Sequence, residues 1–261
     1  PRTLVCHDLK GGYLDDEKCL LGWKMEGYRF WRWWQVDIFV YFSHNFVTIP
    51  PACWIDASHK HGVPILGTLI TEWDDGVQLC SQFLKNDDVM EKFVKKLVDI
   101  TLYYNFDGWL LNIENKLDFI ERMLNFVEIL TERLHKVHAN SLVVWYDSVT
   151  IDGNLLWQNE LNDNNVLFFN RCDGIFLNYT WTEENLNETM KRASLLNRPD
   201  NVFIGIDVFA RGCVGKFDVC KSMEKIKSRN LSSAIFAPSW TFEAIGRDVE
   251  LGKDFFQNET K

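Results

Sequence analysis

The 261-residue chain has no surplus of basic charge. Its 28 Lys and Arg are set against 37 Asp and Glu, for a net charge of −9. Nucleic-acid binding rests largely on Lys and Arg meeting phosphates, so no nucleic-acid partner is expected. No run approaches the roughly 18 apolar residues of a membrane-spanning helix, so no membrane partner is expected either. No signal peptide opens the chain, but it begins at Pro1 without a Met, so the natural N-terminus is expected to lie upstream. The seven cysteines (Cys6, Cys19, Cys53, Cys80, Cys172, Cys213 and Cys220) are odd in number and include no C-x-x-C pair. That spacing indicates neither a zinc site nor a complete disulfide framework, and a reducing compartment is the simpler reading. No G-x-G-x-x-G follows the first apolar run, which removes the signature of a dinucleotide-binding sheet. Internal repeats, low-complexity tracts and Pro- or Ser-rich linkers are also missing, so one domain is expected.

Aromatic residues, by contrast, are abundant: 11 Trp and 19 Phe. Exposed indoles are platforms for stacking on sugar rings, although most aromatics in any domain simply pack. Eight apolar, strand-like runs recur: Thr3 to His7, Asp37 to Phe42, Pro64 to Ile70, Gly108 to Ile113, Leu142 to Tyr146, Gly174 to Asn178, Val202 to Val208 and Ala234 to Pro238. Helical periodicity is clearest at Asp87 to Tyr104 and Leu117 to His138, with shorter candidates at Pro51 to His61, Glu183 to Leu196 and Asp218 to Arg229. Near-continuous apolar strands alternating with helices point to a parallel sheet buried on both faces. Eight of them in a chain of this length predict an α/β fold, a (β/α)8 TIM barrel. The segment Lys10 to Trp34, rich in Gly, Trp and Tyr, is expected to form a loop and a short helix over the barrel mouth.

Chemistry in such a barrel gathers at the C-terminal ends of the strands. The runs end in His7-Asp8, Ser43-His44-Asn45, Thr71-Glu72-Trp73, Asn112-Ile113-Glu114-Asn115, Trp145-Tyr146-Asp147, Asn178-Tyr179-Thr180-Trp181, Asp207-Val208-Phe209-Ala210-Arg211 and Ser239-Trp240. Several of these groups have a structural reading beside a functional one. Asp8, Asp147 and Asp207 fit helix caps as well as a site. His44 fits a hydrogen-bonded rim residue, Glu72 a structural ion pair with Arg211, and Trp31, Trp33 and Trp34 packing with one exposed ring. His44, Asn178 and Trp240 are nonetheless candidate substrate contacts. Asn178 also begins one of four N-x-S/T matches, with Asn187, Asn230 and Asn258, and its place in a buried strand makes that match accidental.

Asn112 and Glu114 lie two residues apart on one strand and therefore share a face. A carboxylate buried there has a raised pKa suited to proton donation. Glycoside cleavage usually takes two carboxylates, yet the position two before Glu114 is an amide. An amide is neither nucleophile nor base. It can hold a substrate's 2-acetamido group so that the carbonyl oxygen attacks the anomeric carbon.

The motifs D-G-W-L-L-N-I-E-N, V-Y-F-S-H, L-G-T-L-I-T-E-W, W-Y-D-S-V and D-V-F-A-R-G occur in that order. In this the chain resembles the endo-β-N-acetylglucosaminidases of glycoside hydrolase family 85, over nearly its whole length. The resemblance implies hydrolysis of the bond between the two GlcNAc residues of the N,N′-diacetylchitobiose core of N-glycans, with retention and with transglycosylation as a side activity. It implies Glu114 as general acid/base, Asn112 as the residue orienting the acetamido group, and Tyr146 as an assistant at the same centre. It places Trp157 and Trp181 along the sugar groove and Glu72 near the bound sugar. It asks for no metal and no cofactor, and its nearest likeness is to cytosolic members. The chain is expected to be one catalytic barrel over residues 1–261, a fragment of a longer protein without the family's C-terminal β-sandwich modules. Two alternatives remain. Chitinase-like hydrolases resemble D-G-x-D-x-D-x-E, with Asp where Asn112 stands here. A non-catalytic glycan-binding barrel would be expected to lack the acid, which is present.

Overall fold

The computed structural model describes residues 1–9 and 28–245. Its centre is a closed parallel barrel of β1 (Thr3–His7), β2 (Ile38–Tyr41), β4 (Ile65–Glu72), β5 (Gly108–Glu114), β6 (Leu142–Tyr146), β7 (Gly174–Leu177), β8 (Val202–Asp207) and β9 (Ser232–Phe236). The strands run in the order β2-β1-β9-β8-β7-β6-β5-β4, and pairing of β2 with β4 closes the ring. This is the expected (β/α)8 barrel. One short strand, β3 (Val47–Thr48), departs from that pattern by pairing antiparallel with β4.

Alternation along each strand separates two cores. Leu4, Val40, Leu66, Leu110, Val144, Phe176, Phe203 and Ala234 point inward and fill the barrel. Their neighbours Val5, Phe39, Ile65, Trp109, Leu111, Trp145, Ile175 and Ile204 point outward, against the helices. Trp109 is fully buried there and donates its indole N–H to Thr101 Oγ1 at 2.8 Å, so the bulkiest side chain of β5 leaves no orphan polar group. The helices are α1 (Ala52–Lys60), α2 (Trp73–Phe83), α3 (Asp87–Tyr104), α4 (Ile120–Val137), α5 (Val166–Phe169), α6 (Glu183–Leu195), α7 (Val219–Lys227) and α8 (Trp240–Ile245). Asn86 caps α3 by accepting from Val89 N, and Asn105 ends it in the left-handed conformation with φ 58°. Thr182 and Asn185 form a reciprocal capping box on α6.

Carboxylates fasten the strand beginnings, where backbone donors would otherwise lack partners. Asp37 accepts from Thr3 N at 2.7 Å, Asp107 from Ile65 N at 2.8 Å, and Asp173 from Val143 N at 2.8 Å. Gly108 follows Asp107 with φ +139°, and a Cβ there would meet Leu142 O at 1.9 Å. Only glycine lets β5 start beside β6.

Three helices, α2, α5 and α8, were not expected. α2 has no side-chain N-cap, and its first residue, Trp73, takes a left-handed φ of 54°. It also contains Gly76, whose Cβ would meet Asn115 Oδ1 at 2.4 Å. Of the segment Lys10 to Trp34, residues 10–27 lie outside the described residues. The remainder includes a 3-10 helix at Trp33–Gln35, and Tyr28 stacks on His7. Trp33 is buried against Phe39, Trp54 and His61, while Trp31 and Trp34 are both exposed rather than one alone. Cys6, Cys80, Cys172, Cys213 and Cys220 are free, in keeping with the absence of a complete disulfide framework, and Cys53 is disulfide-bonded. A bridge depends on proximity in space, which an unpaired spacing in sequence does not report.

Candidate active site

The inward positions nearest the strand ends surround a cavity of about 720 Å³ at the barrel mouth. β5 supplies Leu110, Asn112 and Glu114 to its wall, each two residues from the next. β4 runs beside β5 in a register that pairs Ile70 with Asn112 and Glu72 with Glu114. The two carboxylates therefore stand side by side on adjacent strands. Glu72 in turn accepts from, or is ion-paired with, His44, whose Nδ1 lies 2.9 Å from Glu72 Oε2. Arg211 takes no part in this pair. Its Nε donates to Asp207 Oδ2 at 2.6 Å, so the expected alternative of a Glu72–Arg211 bridge gives way to Glu72–His44.

Tyr146, at the end of β6, is buried and donates its hydroxyl to Asn178 Oδ1 at 2.9 Å. Asn178 Nδ2 donates to Asn159 Oδ1 at 2.9 Å, and the Asn159 backbone N–H donates to Asp147 Oδ2 at 2.8 Å. Asp147 also accepts from Gln158 N and Asn165 Nδ2, so it pins the loop after β6 and caps no helix. That loop carries Trp157, which is 42% exposed and lines the cavity. Asp207 accepts from Phe209 N at 3.0 Å besides Arg211, shaping the turn after β8. The third aspartate, Asp8, lines the cavity.

Burial pushes the Glu114 carboxyl up to about 7, and the neighbouring Glu72 charge adds to the rise. A hydrogen bond from Asn112 and the charges of His44 and Arg211 act the other way, without reversing it. Glu114 is thus poised to give a proton near neutrality and to take one back. Burial raises the Tyr146 hydroxyl well above its usual range, which keeps it a donor. Asp147 is pushed up to about 6 by burial, opposed by its hydrogen bonds. His44 is raised, first by its hydrogen bond to Glu72.

Glu114, Asn112, Tyr146, Glu72, Trp157, His44 and Asn178 all line this one cavity. Two expected contacts do not. Trp181 is 2% exposed and packs in the outer core, with its indole N–H donating to Gly205 O at 2.8 Å. The alternation of β7 ends at Leu177, so a position four residues later carries no inward direction. Trp240 packs against two phenyl rings, stacked on Phe217 at a centroid distance of 5.6 Å and tilted against Phe209 at 5.5 Å. Tyr179 was not picked out as a contact, although it lines the cavity and its hydroxyl hydrogen-bonds to Tyr146. Its one signal is its place next to Asn178 at a strand end. Among the described residues no group of three or more His, Cys, Asp or Glu is arranged to hold a metal ion.

The model of glycosyl hydrolase family 85 matches residues 13–261. The chain is 47% identical to the cytosolic endo-beta-N-acetylglucosaminidase of Homo sapiens, covering all of this chain and 35% of that protein. It is 44% identical to cytosolic endo-beta-N-acetylglucosaminidase 1 of Arabidopsis thaliana, covering all of this chain and 38% of the relative. It therefore spans little more than a third of the length of either. Among solved structures, the glycoside hydrolase domain of Endo-D from Streptococcus pneumoniae superimposes with a TM-score of 0.75 at 26% identity, over 91% of this chain and 39% of that one. A chitinase from Bacteroides thetaiotaomicron shares the fold at 11% identity, with a TM-score of 0.57 over 90% of this chain and 88% of that one. With the family model matched over nearly its whole length, the chain belongs to glycosyl hydrolase family 85.

Proposed function

We propose that this chain is the catalytic barrel of an endo-β-N-acetylglucosaminidase. It hydrolyses the β-1,4 bond between the two GlcNAc residues of the N,N′-diacetylchitobiose core of N-glycans on glycoproteins, glycopeptides or free oligosaccharides. The observation that carries this reading is the pair of Asn112 and Glu114 on one inward strand face, with the Glu114 carboxyl held near neutrality.

Asn112 donates to the Glu114 carboxylate, which occupies an Nδ2 proton and leaves Oδ1 to accept the N–H of the substrate's 2-acetamido group. That bond turns the acetamide carbonyl oxygen toward the anomeric carbon. Glu114 protonates the departing glycosidic oxygen as the C–O bond breaks, and the acetamide oxygen forms the new bond from the opposite face. An oxazoline-type intermediate results. Glu114, now a carboxylate, takes a proton from water as the water reopens the ring, so two inversions give net retention. A sugar hydroxyl in place of water gives transglycosylation. The Tyr146 hydroxyl, fixed by Asn178, contributes a hydrogen bond at the same centre, and Trp157 offers an exposed indole to a sugar face. No step calls for a metal or cofactor.

The compartment proposed is the cytosol, after the printed names of the relatives. The proposed architecture is a single barrel taken from a longer protein, in keeping with its share of the relatives' length. The amide at Asn112 favours this reading over a chitinase-like one, and the presence of Glu114 favours it over glycan binding without cleavage. Mass analysis of the products of one defined N-glycopeptide tests it. The expected product is peptide bearing a single GlcNAc. Peptide that keeps both GlcNAc residues, or neither, would exclude it.

A further inference from the structure

Side chains on a strand point alternately to its two faces, and neighbouring strands lie only about 4.8 Å apart. Residues paired in register on parallel strands therefore face the same way as close neighbours. Glu72 and Glu114 are paired in this manner, at the last positions of β4 and β5, and both line the mouth cavity. The Glu72 charge so placed bears directly on the Glu114 carboxyl and disfavours its ionisation. Glu72 has a further titratable partner, whose pKa is raised by the bond between them: His44 Nδ1 is 2.9 Å from Glu72 Oε2. The His44 side chain is 65% exposed and open to solvent protons, while that of Glu72 is 20% exposed.

The other charged and titratable groups facing Glu114 leave this pair as the variable element. Tyr146 on β6, Tyr179 after β7 and Cys6 on β1 are all raised by burial and stay protonated. Arg211, after β8, is ion-paired with Asp207 at 2.6 Å, and its charge favours the Glu114 carboxylate to the same degree whatever the state of His44. Asp8, beyond β1, acts on the pair by favouring a charged His44.

We propose that Glu72 and His44 are positioning residues that together set the proton occupancy of Glu114. While His44 holds its proton it offsets part of the Glu72 charge felt by Glu114. Once that proton leaves, the Glu72 charge stands uncompensated on the neighbouring strand and holds the Glu114 proton in place to higher pH. The acid therefore stays competent further into the alkaline range than burial alone would allow. This inference rests on Glu114 being the general acid, and it assigns Glu72 an electrostatic task beyond any contact with sugar.

The test compares the pH dependence of kcat/KM on an N-glycopeptide for the unaltered protein, Glu72→Gln and His44→Asn. Loss of the acid in the free enzyme defines the basic limb of that profile. Removing the Glu72 charge is expected to move this limb down by roughly 0.5–1 pH unit. Removing the His44 cation leaves Glu72 uncompensated at every pH and is expected to move it up. Because His44 is largely exposed, the upward displacement should be the smaller. A parallel measurement follows the Glu114 carboxyl by carbon NMR in 13C-Glu-labelled protein, with the resonance assigned by its loss in Glu114→Gln. Opposite displacements of the Glu114 titration in the two variants support the pair, even if either variant turns over too slowly for kinetics. Displacements of the same sign, or none, overturn it. A Glu72 that only binds sugar would raise KM at all pH and leave the titration in place. If the unaltered protein cleaved nothing while its Glu114 titration still responded in opposite directions, the proposed activity would fall and the electrostatic pair would stand.

Discussion

Tyr146 donates its hydroxyl to Asn178 across 2.9 Å, and this bond belongs to a circuit that returns to its own strand. Asn178 is held by Asn159, Asn159 by Asp147, and Asp147 follows Tyr146 directly in the chain. The hydroxyl is thereby aimed by a closed set of polar contacts at the end of the barrel. Asn178→Ala should lower kcat by about 10-fold, the effect of one neutral hydrogen bond of roughly 1.4 kcal/mol. Tyr146→Phe should lower it at least as much. Steady-state kinetics on a glycopeptide decides the matter: if Tyr146→Phe is impaired and Asn178→Ala is not, Asn178 does not orient the hydroxyl.

The acid and the amide should separate under a preformed intermediate. Glu114→Gln is expected to reduce hydrolysis by roughly 10²–10⁴-fold, the usual range for loss of general acid–base catalysis, while glycan binding by calorimetry persists. Asn112→Asp should impair cleavage of the natural glycan more than consumption of a synthetic sugar oxazoline. Equal losses in the two assays would remove Asn112 from the step that forms the ring.

Two tryptophans that look alike in sequence should respond in opposite ways. Trp157 is exposed at the cavity, so Trp157→Ala should raise KM and leave the melting temperature nearly unchanged. Trp181 is packed in the outer core and its indole N–H is bonded to Gly205 O. Trp181→Ala should cost about 3–5 kcal/mol of stability, in line with other large-to-small core changes. Kinetics alongside thermal melts checks both, and a stable Trp181→Ala with a raised KM would return that residue to the sugar groove.

His7 gives the fold a defined pH response. It is fully buried beside Tyr28, Phe39, Tyr41 and Trp54, and burial lowers its pKa to about 3. In the unfolded chain the imidazole takes up a proton near pH 6.5, which the folded protein refuses. The unfolded state then binds more protons, so stability falls as pH drops through that range and is fully present above it. The loss between pH 7.5 and 5.5 should be about 1.4 kcal/mol from this group. Urea unfolding at the two pH values, compared with His7→Phe, measures it; an unchanged pH slope in the variant would assign the effect elsewhere.

The barrel was legible because each of its strands is an apolar run that needs no partner to be noticed. Asn112, Glu114 and Tyr146 were legible for a related reason: they lie on or at the end of such runs, where period two still fixes the side-chain direction. Trp181 lies past the end of β7, and there the same rule has nothing to act on. Trp240 opens a helix after β9, so the ring's partners were settled by packing between loops. The Glu72–Glu114 neighbourhood was invisible because register between strands is a property of the folded sheet. α2 lacked both a capping side chain and an unbroken apolar stripe, and its Gly76 is there to admit Asn115.

β3 has a consequence for how this rim tolerates change. β2 pairs with β4 only through Phe39–Ile65 and Val40–Leu66, and above them Val47 and Thr48 take over against Leu69 and Thr68. The seam forks toward the mouth, and the wedge is closed by main chain, including Ile70 N to Phe46 O at 3.0 Å. Peptide groups bond regardless of the side chain they carry. Side chains share in holding the segment that bears His44: Ser43 Oγ lies 2.6 Å from Thr48 Oγ1, and Thr68 Oγ1 donates to Tyr41 O at 3.0 Å. Substitutions can therefore accumulate at its outward-facing positions while the imidazole keeps its address, but not at Ser43, Thr48 or Thr68.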